Sequence, residues 1–328
     1  MDLPLVSFCM TSYNQREYAL MALEAAFRQD YPNMEIIVSD GASTDGSAEA
    51  LIEFSKKNVQ WKDRVKILTS DHNIGCTANY EKLFSAARGE LVISADGDDI
   101  SEPNRVSRIV EEWLKSGKKA SVIFSDGWKI DGAGNIIGRI GRRSVGCPLG
   151  ACMAFSPRVV LDFPAVTYPS GYQDHIFARR GILIGSVLQL EDHLIRYRVG
   201  SGISSVLLNR RMPELRSAKG RAASFCQSII DVEYWQGKGF IDSVRCRQLC
   251  GQFKELIDRN LTFAKLIEGR YFAERLTAYR KLYKHISVDA ILRIPYLLPK
   301  SLGDFLYGIY GALGFAVRRV SYLRKVKV

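Results

Sequence analysis

The densest chemistry in this chain of 328 residues is the run Asp96-Gly97-Asp98-Asp99, which follows the apolar stretch Leu91–Ser94. It gathers three carboxylates into one turn, where mutual repulsion is costly unless a cation sits among them. Carboxylate oxygens are hard ligands that suit Mg2+ or Mn2+, with water and phosphate oxygens completing the coordination. The competing reading is a solvated acidic turn in which Asp99 or Ser101 caps the next helix. The position of the turn after a strand and beside Asp40 favours the metal. Further polar clusters stand at Thr11-Ser12-Tyr13-Asn14, at Asp40-Gly41-Ala42-Ser43-Thr44-Asp45 and at Asp71-His72-Asn73. The chain has no GxxxxGK[ST] phosphate loop and no GxGxxG between its first strand and first helix, so Walker-type kinases and dinucleotide-dependent dehydrogenases fit poorly. A bound diphosphate would then need a divalent ion together with Arg or Lys.

The elements that must carry these clusters alternate. Leu5–Met10 reads as a strand, and Tyr18, Met21, Ala22, Ala25 and Ala26 repeat with helical period. A second strand, Ile36–Ser39, precedes a helix over Ala48–Lys57. A third, Val65–Leu68, precedes a helix over Asn73–Arg88 that Gly89 stops. Leu91–Ser94 is the fourth, Pro103 suits the first turn of a helix reaching Lys115, and Val122–Phe124 is the fifth strand. Strands separated by single helices predict parallel pairing through right-handed crossovers, hence a layered α/β sheet. Ligands bind such sheets beyond the carboxyl ends of the strands, which is where every polar cluster falls. Past residue 130 the pattern turns irregular, with a Gly-rich turn at Asp131-Gly132-Ala133-Gly134-Asn135 and basic Arg139, Arg142 and Arg143. Residues 207–290 read as helical and 291–328 as an apolar-basic tail.

A composition of 47% hydrophobic and 25% charged residues excludes a disordered or collagen-like chain. The net charge of +11 is unevenly placed: residues 1–200 hold 23 basic and 25 acidic residues, residues 201–328 hold 23 and 10. Seven Cys without a CxxC pair, and four His outside any Cys/His cluster, argue against a zinc site and a disulfide framework. Met1–Met10 carries Asp2 and no basic segment, so no signal peptide is expected and the expected compartment is cytoplasmic. The apolar run Phe305–Val317 is shorter than the ~20 residues of a membrane-spanning helix.

The segment Val6-Ser7-Phe8-Cys9-Met10-Thr11-Ser12-Tyr13-Asn14 resembles the opening strand of family 2 glycosyltransferases. Val38 to Ser47, Asn73-Ile74-Gly75, Ala87-Arg88-Gly89-Glu90 and Ala95 to Asp99 follow in that family's order and spacing, and the resemblance covers residues 4–205. It implies the GT-A fold for nucleotide-diphospho-sugars, a layered α/β/α arrangement with a mostly parallel sheet, extended here by C-terminal helices. It also implies transfer with inversion at the anomeric carbon. Carried onto this chain, Thr11, Tyr13, Asn14, Asp40, Ser43, Asp45, Asn73 and Asp96 would form the donor site. Tyr13 would lie against the base, Asp40 would accept from its imide N–H, and Asp96 would lie near ribose and sugar. Asp98, with Asp96, would hold the metal that bridges the diphosphate. Gly146 to Phe155 resembles the family's acceptor-side segment. Gly171-Tyr172-Gln173-Asp174-His175 resembles its Glu-Asp motif, with Gln173 in place of the first acid. Asp174 is then the candidate general base, against the alternative of a cap on the helix Ile176–Ile184. His193 to Ser204 resembles the segment that closes over the donor, from which Arg196 or Arg198 could neutralise the leaving diphosphate.

The tail 291–328 holds seven basic residues and one acid among six aromatics, which fits a segment lying in a membrane interface. The expected partners are therefore a nucleotide-diphosphate sugar, a glycan or polyprenyl-diphosphate-linked glycan acceptor, and the inner face of the cell membrane. No nucleic-acid reader motif accompanies the charge. The alternative is a catalytically degenerate GT-A module that binds nucleotide-sugar or membrane without transfer.

Overall fold

The first strand, β1 (Val6–Ser12), is buried on both faces, which its near-continuous apolar run anticipates. Val6, Phe8 and Met10 pack with Ala19, Ala22, Leu23 and Ala26 of α1 (Arg16–Phe27) and with Val106, Ile109, Val110 and Trp113 of α4 (Arg105–Lys115). Cys9 points the other way, into a second core with Tyr80, Leu83 and Phe84 of α3 (Cys76–Ser85) and with Ile176 and Phe177 of α6 (Gln173–Ile184). The period of two along the strand thus feeds two helical layers. Each fully buried Val, Leu, Ile, Phe or Met contributes about 1.5–3 kcal/mol. The computed structural model describes residues 3–61, 63–141, 148–167, 172–200 and 211–268, with Glu274, Thr277, Ala278, Lys281 and Leu282; for 211–216 it describes the backbone alone.

β1 lies between β2 (Met34–Asp40) and β4 (Leu91–Asp96), parallel to both, and β3 (Val65–Leu68) flanks β2 in parallel. The remaining strands are β5 (Ile100–Ser101), β6 (Ala120–Ile130), β7 (Ile136–Arg139), β8 (Met153–Phe155) and β9 (Ser186–Arg198). The sheet order is β3-β2-β1-β4-β8-β6-β9-β5, with β7 beside β6. β8 is antiparallel to both β4 and β6, so the fifth expected strand keeps the direction of β4 without being its neighbour. β9 runs parallel to β6, while β5 pairs antiparallel with β9 and β7 antiparallel with β6. The sheet is mixed and mostly parallel.

Several expected bounds move for local reasons. α3 starts at Cys76 rather than Asn73 because Gly75 adopts φ +81, a left-handed turn that no helix contains. Pro103 precedes α4 instead of joining its first turn, and its carbonyl accepts the Asp30 N–H at 2.9 Å. The strand expected at Val122–Phe124 runs eleven residues, because its second half breaks the apolar run by setting Asp126, Trp128 and Ile130 on one face and Gly127 and Lys129 on the other.

The chain forms two compact units, Met1–Ser205 with Cys226–Cys250, and Val206–Phe225 with Gly251–Val328. α7 (Arg211–Gly237) and α8 (Ser243–Glu268) contribute to both, and they fill the described part of the expected helical region. In the first unit α7 is joined to α6 by the buried pair Arg180–Asp231. In the second, Ala218 packs with Phe263, Leu266 and Ile267. Among the described residues no helix is long and apolar enough to cross a membrane. The basic tail 291–328 lies outside the described residues.

Candidate active site

Parallel register sets the polar clusters side by side, with Thr11 opposite Asp96 and Ser12 opposite Asp40. Beyond Asp96 the chain turns so close to β1 that a Cβ on Gly97 would stand 2.7 Å from the Thr11 carbonyl oxygen. Asp98 and Asp99 follow, both buried. Asp99 Oδ1 accepts the Arg198 N–H at 2.8 Å, whereas its Oδ2 is buried without a partner. The phenol of Tyr80 donates to Asp96 Oδ1. Burial pushes the Asp96 carboxyl up to about 6; the Tyr80 hydrogen bond opposes the rise and the charge of Asp98 adds to it. Burial, then the charges of Asp96 and Asp98, push Asp99 well above the usual range. Behind the turn lies Arg105, fully buried. It donates to Ser101 Oγ at 2.9 Å and to the carbonyls of Ser94 and Ala151 at 2.8 and 2.7 Å. Burial lowers its guanidinium to about 10, so it stays cationic at neutral pH opposite the carboxylates.

Among the described residues no three His, Cys, Asp or Glu side chains converge closely enough to hold a metal alone. The acidic turn nevertheless fits a hard divalent ion that takes one or two protein oxygens and fills its shell with water and phosphate. The carboxyls of Asp96 and Asp99 are pushed toward the neutral form, and one buried oxygen has nothing to bond. That oxygen belongs to Asp99, the neighbour of the expected ligands Asp96 and Asp98.

Asp174 sits in the first turn of α6, its Oδ1 accepting the His175 N–H at 2.8 Å. Burial pushes its carboxyl up to about 6; the His175 hydrogen bond opposes this, the charge of Asp96 adds to it, and Arg179 lowers it. A methyl on Gly150 would stand 3.8 Å from both Asp174 Cβ and Tyr80 Oη, and Tyr80 holds Asp96, so the two carboxylates share one cleft. Cys76 lies there too. Burial with the charges of Asp96 and Asp174 pushes its thiol up to about 12, against a hydrogen bond from Gln173. The buried Gln173 Oε1 has no partner.

On the far side, Tyr13 is 42% exposed, leaving a ring face open. Asn14 adopts φ +51; its N–H donates to Ser43 Oγ at 2.8 Å and its Oδ1 accepts the Thr44 N–H at 2.8 Å. The buried Asp40 accepts the Ser43 N–H and hydroxyl at 2.8 and 2.6 Å. These bonds join the loops after β1 and β2. Asp45 serves helix starts instead, accepting from the Arg16 N–H at 3.1 Å and from the Ser47 N–H and hydroxyl at 3.0 and 2.5 Å. Burial raises its carboxyl, but the Ser47 and Arg16 hydrogen bonds outweigh that and hold it below the ordinary range. The exposed Asn73 accepts the Gly75 N–H at 2.8 Å, closing a local turn just ahead of α3.

The two arginines that could neutralise a diphosphate have protein partners in this structure. Arg196 is turned to Glu102 at 2.7 and 3.3 Å. Arg198 is buried, and its guanidinium donates to the carbonyls of Asp98, Asp131 and Gly132. Sequence reasoning missed Arg105, Tyr80 and Cys76. Arg105 left one signal: it stands four and eight residues before the buried Ile109 and Trp113, on the inward stripe of α4.

A mixed sheet between helical layers, with carboxylates gathered at the ends of its parallel strands, is the GT-A glycosyltransferase fold. Residues 7–140 match the model for glycosyl transferase family 2. The glycosyltransferase GlyG of Streptococcus pneumoniae serotype 4 is 28% identical over 127 residues, 39% of this chain and 40% of the relative. An uncharacterized glycosyltransferase of Methanocaldococcus jannaschii, MJ1057, is 30% identical over 139 residues, 42% of this chain and 46% of the relative. The chain thus spans less than half the length of these curated relatives. S. aureus TarS 1–349, solved with UDP-GlcNAc, superposes with a TM-score of 0.58 at 13% identity, covering 96% of this chain and 92% of TarS. The mannosyltransferase PcManGT of Pyrobaculum calidifontis, solved with GDP-Man and Mn2+, gives 0.56 at 15% identity, covering 95% and 87%.

Proposed function

We propose that this chain transfers a sugar, with inversion at the anomeric carbon, from a nucleoside diphosphate sugar to a hydroxyl of a polyprenyl-diphosphate-linked glycan. The observation that carries the reading is the shared cleft in which burial raises the carboxyls of Asp174 and Asp96, the charge of Asp96 adding to the rise at Asp174. A base poised near neutrality can ionise at working pH and still accept a proton. Asp174 takes the proton of the acceptor hydroxyl as its oxygen attacks the anomeric carbon, and the bond to the diphosphate breaks on the opposite face. Mn2+ or Mg2+ held by Asp98 and Asp96, with Asp99 Oδ2 adjoining, would neutralise the departing diphosphate. Tyr13 stacks on the base, and Thr11, Asn14, Asp40 and Ser43 frame the nucleoside. The Mn2+ and GDP-Man bound by PcManGT and the UDP-GlcNAc bound by TarS support this choice of ligands. Seven basic residues in the tail support peripheral contact with anionic lipid on the inner face of the cell membrane.

The test is transfer from labelled UDP-, GDP- and dTDP-sugars to a polyprenyl-diphosphate-linked glycan with Mn2+ present. The wild type turns over, and Asp98→Ala keeps its circular dichroism but loses transfer. Undiminished rates in excess chelator would remove the metal from the reading. Donor binding without transfer to any glycan would leave a donor-binding module in place of an enzyme.

A further inference from the structure

We propose that Arg198 is the positioning residue that joins the acidic turn to the β6–β7 turn, so that the two behave as one body toward a bound cation. The proposal rests on the metal-dependent reading above. Arg198 closes β9 and pairs in register with Ile130 at the end of β6. Its backbone N–H holds Asp99 Oδ1 at 2.8 Å and its Nε donates to the Asp98 carbonyl at 3.0 Å, so one residue grips both halves of the Asp98-Asp99 pair. Its Nη1 donates to the carbonyls of Asp131 and Gly132, each at 2.8 Å. The ring of Tyr18 lies 4.3 Å from the guanidinium carbon, covering one face of the plane.

The turn at its other end is braced internally. Asp131 Oδ1 accepts the N–H groups of Ala133 and Asn135 at 2.9 Å, and the Asp131 N–H donates to the Asn135 carbonyl at 3.0 Å. A self-supporting turn thus anchors a guanidinium that in turn fixes the backbone of the carboxylates. Only a planar fork reaches three carbonyls on two loops at once; an ammonium at the same place is a point donor. Groups that orient metal ligands from behind, without touching the ion, set affinity by 10–100-fold in other proteins. Because coupling between two places is reciprocal, a ligand that fixes the acidic turn must also quiet the β6–β7 turn.

The experiment is calorimetry of Mn2+ in the presence of UDP or GDP on the full chain, combined with amide hydrogen exchange over residues 131–135. In the wild type, Mn2+ with nucleotide slows exchange in that turn. Arg198→Lys and Arg198→Met, which retain the backbone N–H bond to Asp99, bind Mn2+ at least about tenfold more weakly and exchange faster at 131–135. Wild-type binding without any protection of 131–135 overturns the proposal even if both variants misfold. So do folded variants with wild-type Mn2+ affinity. A wild type that binds no Mn2+ with either nucleotide removes the metal-dependent reading, and this inference with it.

Discussion

Replacing the proposed base should make the protein more stable while it stops working. Asp174 has an ordinary carboxyl value of 3.8 in an unfolded chain and about 6 in the fold. Below the first value both states hold the proton and no penalty exists. Between the two, the folded chain holds a proton that the unfolded chain has released, so stability falls as pH rises. Above the second the penalty is complete, at about 3 kcal/mol for a rise of this size. The amide that Asp174→Asn introduces cannot ionise, and its carbonyl can still accept the His175 N–H that Asp174 Oδ1 accepts at 2.8 Å. At pH 8 Asp174→Asn should therefore melt roughly 4–6 °C higher than the wild type, with the gain vanishing near pH 4. Transfer should fall by about 10²–10⁴-fold, the share that a positioned base supplies. The assay is tryptophan-monitored thermal unfolding of both proteins from pH 4 to 8 in chelator, beside turnover at pH 8. A variant that melts at or below the wild type at pH 8 would show that Asp174 carries no strain as a carboxylate, and the argument for its role would fail.

Three further substitutions probe the same layer of the fold. With a carboxyl value of about 6, wild-type turnover at pH 5 should be about a tenth of its plateau, and Gln173→Glu, by adding a like charge in that cleft, should move this limb up by about 1 pH unit. A pH–rate profile with an unmoved limb would separate residue 173 from the base. The buried pair of Arg180 with Asp231, at 2.8 and 3.0 Å, joins α6 to α7, and Arg180→Met should cost about 3–5 kcal/mol in urea unfolding by stranding the Asp231 charge. Asp231→Leu in the Arg180→Met background should recover most of that loss, and a single variant that loses under about 1 kcal/mol would mean the pair is not carried dry.

The strands that position the site were legible because burial on both faces writes itself as an unbroken apolar run. The runs at Leu5 and Leu91 each extend to the polar residues that close them, whereas the edge strand Val65–Leu68, half-buried and interrupted by the exposed Lys66, keeps its expected bounds. β5 and β8 span two and three residues, too short for any period to show. The convergence of Asp40 and Asp96 followed from parallel register alone. Asp174 did not: its helix reaches the same cleft through tertiary packing of α6 on the second core, and only the family resemblance pointed to it. Strand alternation placed Arg196 and Arg198 on a common face, but period says nothing about partners. Glu102 and three backbone carbonyls, which answer these guanidiniums, come from distant turns. Arg105 was hidden for the opposite reason, since a charged residue at a helix start reads as solvated until its phase with Ile109 and Trp113 is counted.

Unsatisfied groups mark the same edge of the sheet independently of any motif. Among the described residues seven buried side-chain polar atoms have no hydrogen-bond partner, and four belong to Ser12, Asp99, Arg105 and Gln173. Ser12 ends β1, Asp99 closes the acidic turn, Arg105 stands behind it, and Gln173 bonds Cys76 beside Asp174. Leaving such an atom dry costs about 1–3 kcal/mol, more where it is charged. Hydrophobic burial elsewhere in the two cores offsets that cost, and chance gives no reason for the orphans to collect beside three carboxylates held toward neutrality. A ligand that brings a cation to the carboxylates and hydroxyls to the amide relieves both deficits at once. The edge is therefore weak as structure for the reason that makes it strong as a site: its unmet carboxylate and amide oxygens, at Asp99 and Gln173, can pair with a ligand without first breaking bonds to the protein.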